Sequence, residues 1–143
     1  METVAPRVCS AARALEVVGD RWSLLVMREV FLGTHRFDAM QANTGAPRDI
    51  LSARLKKLVA HGVLEKRPYQ ERAVRFEYHA TAAGEELAPV ITALRRWGDR
   101  HLHSDAGPQP ARFQHVCGSD RAARFVCPDC GEDIKVGSMV RVS

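Results

Sequence analysis

The residues best suited to chemistry lie near the C-terminal end, in the stretch "HVCGSDRAARFVCPDCG". His115, Cys117, Cys127 and Cys130 supply one imidazole and three thiols. This is the soft nitrogen-and-sulfur set that tetrahedral zinc prefers. The Cys-x-x-Cys-Gly element at Cys127 makes a tight knuckle whose backbone N–H groups point at sulfur. The His-x-Cys-Gly element at His115 would face it, with a grip tighter than usual for two ligands. The same residues also allow a redox disulfide, Cys127 to Cys130 or one that includes Cys117, and plain unpaired thiols. No Glu/His pair has the spacing a catalytic base would need, so a catalytic metal is not expected. The reading carried forward is a small zinc-ribbon-like tail, folded by one structural zinc per chain or degenerate and without bound metal. Cys9 stands apart, just ahead of the first predicted helix and close in sequence to Arg7 and Arg13. Helix-start amides and nearby cations favour a thiolate, which makes Cys9 a candidate redox sensor. The plainer reading is a small residue packing that helix.

The rest of the chain must position these groups. Its 143 residues suit one compact domain with a small appendage. Hydrophobic residues make up 45% and charged residues 27%, the balance of a soluble globular protein. No apolar run approaches the roughly 18 residues of a membrane span. The N-terminal stretch lacks the basic start and apolar centre of a signal peptide. A cytoplasmic location, with no membrane partner, is therefore expected. In that reducing setting four cysteines point to metal or redox chemistry rather than structural disulfides. A thiol oxidoreductase built on "CPDC" would need a thioredoxin-like sheet around the motif, which the short tail cannot supply. The chain is not expected to be an enzyme.

The periodicity predicts a short helix at Ser10–Val18 and a second one capped by Asp20, with Trp22, Leu25, Val26 and Val30 at helical spacing. A third spans residues 36–42 and ends in the turn formers "NTGAP". A fourth begins at Pro47, where a missing N–H is harmless, and stops at the glycine of "AHG". The period then changes from helix to strand. "VLEKRPY" and "VRFEYHA" read as two strands joined by "QERA". Thr81 is placed as the cap of one long helix with Leu87, Val90, Ile91, Leu94 and Trp97 on its apolar face and a possible kink at Pro89. Residues 105–112 read as a Gly/Pro linker between a domain at 1–104 and the tail at 113–143. About thirty tail residues cannot fold alone without a staple, a metal or a partner.

Two short helices around a glycine-bearing turn, followed by a hairpin, form the order of a winged helix-turn-helix, whose second helix enters the DNA major groove. In that helix Leu51, Leu55 and Leu58 share one face. Asp49, Ser52, Ala53 and Lys56 point the other way, Arg48 sits at the exposed start and Lys57 at the margin. Arg54 lies nearer the packed side, within reach of the backbone or a carboxylate. Residues 46–79 hold eight basic and four acidic side chains, while the remainder holds thirteen of each, so the whole net charge of +4 falls on this segment. Charge so placed suits a DNA surface of Arg48, Asp49, Ser52, Ala53, Lys56, Lys57, Arg72 and Arg75. A winged helix that serves protein interaction without DNA is the alternative.

The stretches "GDRWSLLVMREVFLGTHRFD", "ILSARLKKLVAHGVLEKRPY" and "GEELAPVITALRRWGDRH" resemble the HxlR-type transcriptional regulators, relatives of the MarR winged-helix group. The likeness runs from Cys9 to about His103. It implies a mainly α fold with a small β-hairpin wing, an α+β winged helix-turn-helix. It also implies a homodimer joined through the N-terminal and long C-terminal helices. The expected function is that of a repressor on a pseudo-palindromic double-stranded operator, answering a small molecule or an oxidant. Some regulators of this type sense oxidants through a cysteine near the position of Cys9. The chain departs from the pattern at Ala73 or Val74, where a wing proline is frequent, at Ala80, where leucine is common, and at Asp49, where a basic or amide residue is usual.

Overall fold

Three helices begin where a side chain takes up amide N–H groups left free at a helix start. Helix α1 (Ser10–Val18) starts after Cys9, whose Sγ accepts from the Ala12 amide at 3.3 Å. Helix α2 (Arg21–Phe31) starts after Asp20, whose carboxylate accepts from the Ser23 amide at 2.9 Å and the Ser23 hydroxyl at 2.6 Å. Two helices without a side-chain cap follow, α3 (Phe37–Thr44) and α4 (Arg48–Ala60). Pro47 occupies the N-cap position of α4, one residue before the predicted start. The strands β1 (Leu64–Gln70) and β2 (Arg75–Ala80) pair antiparallel from Leu64 opposite Ala80 to Gln70 opposite Arg75, with an irregularity between Pro68 and Gln70. An isolated bridge between Arg36 and Glu77 ties the segment ahead of α3 to β2. The winged helix-turn-helix read from the sequence is the fold observed.

The computed structural model describes residues 6–70, 72, 74–102, 105–120 and 123–142. Ala73, one of the departures from the wing pattern, lies outside these residues, as do His103 and Ser104. The chain divides into two compact units, Met1–Ile91 and Thr92–Ser143. No described helix is long and apolar enough to cross a membrane.

The first unit is organised around Val26, Met27 and Val30 of α2, Met40 of α3, and Leu51, Leu55 and Leu58 of α4, closed by Val18, Ala46, Val63 and Leu64. Burying each such side chain contributes on the order of 1.5–3 kcal/mol. One carboxylate enters this interior. Glu29, 3% exposed, accepts from Arg28 (2.8 Å) and from the Asn43 amide (2.7 Å), joining α2 to the end of α3. A buried charge without such partners would be strongly destabilising.

The long helix predicted from Thr81 is two helices. Thr81 caps the short α5 (Ala82–Glu85), accepting from the Gly84 amide at 3.1 Å, and α6 (Ala88–His101) begins after a two-residue turn. Pro89 explains the break. It has no N–H for the Glu85 carbonyl four residues earlier, and its ring would clash there, whereas in the first turn of α6 it is harmless. The Leu87 amide donates instead to the Gly84 carbonyl at 3.0 Å, closing a tighter turn. Leu87 and Ile91 pack on the core, while Val90, Leu94 and Trp97 are 48%, 52% and 55% exposed.

In the second unit α6 carries Arg95 over the Phe113 ring, 4.1 Å from its centroid, and Trp97 against His101. The described residues of the tail form tight turns and bury no apolar side chain.

Gly84 is where α5 meets the end of the α4–β1 turn. A Cβ there would stand 2.1 Å from the Val63 carbonyl oxygen. Alanine is the better helix former by about 1 kcal/mol, but backbone cannot yield to such a contact. Gly84→Ala is expected to destabilise the chain by about 1–3 kcal/mol, measured by urea denaturation. Unchanged or raised stability would contradict this packing.

Candidate nucleic-acid interface

The turn between α3 and α4 is shaped by Gly45, which takes the left-handed conformation (φ 73°) and donates to the Gln41 carbonyl. A side chain there would be strained. Thr44 adds a second clasp, its hydroxyl donating to the Met40 carbonyl (2.7 Å) and accepting from the Ala46 amide (3.2 Å). Ala46 is buried beneath. This sets the direction in which α4 leaves the turn.

Rotation of α4 about its own axis is set from below. Leu51, Leu55 and Leu58 are at most 1% exposed. Arg54 Nε donates to Asp20 Oδ1 at 2.9 Å. The carboxylate that caps α2 thus also holds the side of α4, the partner that the sequence placed within reach of Arg54. Burial of Asp20 opposes its ionisation, but hydrogen bonds from the Ser23 hydroxyl and amide and from Arg54 outweigh this and lower its pKa below 3.8.

With the leucines inside, Arg48, Asp49, Ala53 and Lys56 are exposed, and Ser52 and Lys57 are half-buried. Among the described residues no hydrogen bond or ion pair engages the side chains of Asp49, Ser52, Lys56 or Lys57. Arg48 is engaged. It donates to Asp38 at 3.2 Å and to Gln41 at 3.1 Å, and stacks over Phe37 at 4.9 Å. The Arg48–Asp38 pair is exposed, so it holds the guanidinium only weakly.

The wing brings Arg72 and Arg75 to its exposed turn end. Arg48 and Arg75 line one open cleft of about 560 Å³ between α3 and the wing, with Phe37, Tyr69, Phe76 and Tyr78. Arg36 lines the same cleft and was missed by sequence reasoning. It pairs with Glu77 at 3.3 Å and stacks on Tyr69 at 4.2 Å. It precedes the charged segment at 46–79, and only the pairing with β2 carries it there. Lys66 of β1, over the Phe76 ring at 4.3 Å, belongs to the charged segment but not to the DNA surface named from the sequence. Behind the cleft His35 and His79 stack with centroids 4.0 Å apart. Bonding to His79 and to Arg36 lowers the pKa of Glu77, and burial raises that of the Tyr78 phenol.

The thiols occupy other places. Cys9 is exposed at the start of α1. In the tail, Cys127 and Cys130 share one turn, while His115 and Cys117 share another, in which His115 Nδ1 accepts from the Cys117 amide at 3.2 Å. Among the described residues no three His, Cys, Asp or Glu side chains come together as metal ligands would. This holds for the four expected zinc donors, of which no three come together.

Residues 17–106 match the HxlR-like helix-turn-helix family. The chain belongs to that family. An HTH-type transcriptional regulator of Mycobacterium tuberculosis is 43% identical over 125 residues, covering 87% of this chain and 79% of the relative. One from Synechocystis is 32% identical over 100 residues, covering 69% and 74%. The crystal structure of PA1607, presented as a candidate transcription factor, superposes with a TM-score of 0.79 at 33% identity over 94% of both chains. The reduced form of the redox regulator HypR shares the fold, with a TM-score of 0.59 at 21% identity over 64% of this chain and 92% of that one. This HxlR-like chain is a transcriptional regulator of the helix-turn-helix type, not an enzyme.

Asp20 supplies a pH test of how α4 is held. Its pKa is lowered by folding, so its contribution is complete above the ordinary value of 3.8 and lost as pH falls through the lower folded value. Asp20→Asn keeps a good helix cap but loses the charge-assisted bond from Arg54, and is expected to cost about 1 kcal/mol near neutral pH. Its deficit relative to the parent chain should shrink on acidification, as read from urea denaturation over a pH series. A deficit independent of pH would remove the Asp20 charge from this role.

Proposed function

We propose that the chain is a sequence-specific DNA-binding repressor that acts as a homodimer on a pseudo-palindromic operator. The observation that carries this reading is the outward face of α4. Asp49, Ser52, Ala53, Lys56 and Lys57 stand clear of the leucine seam, with Arg48 at the helix start and Arg72 and Arg75 on the wing. In this arrangement Lys56, Lys57 and the wing arginines meet phosphates, Arg48 and Ser52 meet base edges, and Ala53 allows close approach. Asp49 would accept from a cytosine N4 amine in the major groove, while repelling phosphate.

The dimer rests on the exposed stripe of Val90, Leu94 and Trp97 on α6 and on Leu15, 62% exposed, on α1. An apolar stripe of this kind is costly to leave in water. Pairing two copies would set two recognition helices at a fixed spacing, the geometry a pseudo-palindrome requires. Cys9, exposed at the start of α1, is then the thiol through which an oxidant would reach the dimer.

Binding of the purified chain to its own promoter fragment should weaken steeply with salt, because several phosphates are contacted per subunit. Lys56→Ala should weaken binding to all sequences and reduce the slope of log K against log salt by about one per subunit, hence about two for the dimer. Absent or salt-independent binding would favour the protein-interaction module instead. Repeating the titration after diamide tests the thiol. Cys9→Ser, which keeps a good helix cap, should abolish any oxidant response, and an unchanged affinity of the parent chain would exclude Cys9 as the sensor.

Leu94→Asp should convert the dimer to monomer in sedimentation equilibrium, with the helical circular dichroism retained. A variant that stays dimeric would place the interface elsewhere.

A further inference from the structure

The two cysteine turns of the tail differ in what they assemble. The second is the more tightly tied. The Cys127 amide donates to the Glu132 carbonyl at 2.9 Å and the Ile134 amide to the Phe125 carbonyl at 2.7 Å. Val126 bridges Asp133, and Arg124 Nε holds the Asp133 carboxylate at 2.8 Å. Gly131 (φ 73°) closes the turn, its amide donating to the Cys127 carbonyl at 2.8 Å. Within this miniature hairpin Cys127 and Cys130 stand three residues apart on one turn. Cys130 is exposed and Cys127 half-buried, so a small reagent can reach both.

Zinc and a disulfide ask different things of such a pair. A structural zinc needs four protein ligands. Among the described residues no third His, Cys, Asp or Glu joins these two sulfurs. A disulfide needs only two sulfurs within bonding reach on a backbone that already holds them together. One closed turn carrying both cysteines places them where that bond can form.

We propose that Cys127 and Cys130 form a two-electron oxidation site that closes to an intramolecular disulfide on meeting a hydroperoxide. The Cys127 sulfur, its proton passed to solvent, attacks the outer peroxide oxygen. The O–O bond breaks, the alkoxide leaves as the alcohol with a proton from solvent, and Cys127 becomes a sulfenic acid. The Cys130 sulfur then attacks the Cys127 sulfur. The S–O bond breaks, and the hydroxyl leaves with the Cys130 proton as water. Two thiols and one hydroperoxide give one disulfide, one alcohol and one water. The two sulfurs lose the two electrons that the peroxide gains. Because the resolving thiol is in the same turn, closure needs no second molecule. The bond would staple a segment that buries no apolar side chain of its own among the described residues.

Trypsin places both cysteines in one peptide, Phe125–Lys135, with neither Cys9 nor Cys117 in it. The full chain, purified without chelator, is treated with tert-butyl hydroperoxide, alkylated, digested and weighed by mass spectrometry. The expected result is that this peptide loses the mass of two hydrogens and escapes alkylation. Cys127→Ser and Cys130→Ser should each abolish the loss, whereas Cys9→Ser and Cys117→Ser should keep it. Three results would overturn the proposal. Both thiols remain alkylated after oxidant, or the bond joins either one to Cys9 or Cys117. In the third, the chain carries one zinc that shields both thiols until it is chelated, which would assign the pair to a metal centre.

Discussion

The leucine seam of α4 is the constraint on which the rest of the structure depends. Leu51, Leu55 and Leu58 recur at helical spacing and lie almost wholly out of water against Val26, Met27 and Val30 of α2. Replacing any one of them with alanine would cost roughly 2–5 kcal/mol, a large part of the stability of a small domain. Turning α4 by a quarter turn would expose this seam and bury Lys56, so the burial that folds the domain also chooses which side chains remain outside. The candidate interface is the complement of the core.

Polar contacts sharpen what burial leaves loose. Apolar packing is not directional, whereas the bonds of Asp20 are. One carboxylate caps α2 through Ser23 and holds α4 through Arg54. Glu29 does the same between α2 and α3 through Asn43. Both acids belong to α2 or its cap, so that helix serves as the frame on which the helix-turn-helix is mounted. The wing is mounted separately. The Tyr78 amide donates to the His35 carbonyl at 2.8 Å, and Arg36 pairs with Glu77. These contacts bring Arg75 of the wing, Arg36 and the start of α4 to one cleft.

The two kinds of thiol site follow from the same economy of burial. Cys9 caps a helix and depends on the domain for its place. Cys127 and Cys130 sit on a turn organised by short-range backbone bonds, which need no core.

Much of this was legible in the sequence, for local reasons. Helix starts at Cys9 and Asp20, the glycine turn at Gly45, the leucine spacing of α4 and the alternation of β2 all depend on a few neighbouring residues. Concentration of charge over residues 46–79 needs only counting. The predicted long helix failed at Pro89 because two local signals competed. An apolar periodicity running from Leu87 to Trp97 masked a proline that the backbone could accept only at a new helix start. Tertiary structure alone decided which partners long side chains take. Arg54 reaches Asp20 thirty-four positions away, and Arg36 reaches Glu77 at a separation of forty-one. It also decided whether the tail donors come together, and among the described residues no three do, since ligand spacing along the chain says which turns can form and not whether two turns meet. Periodicity and capping are properties of a few consecutive residues, while convergence depends on where the whole chain places its ends.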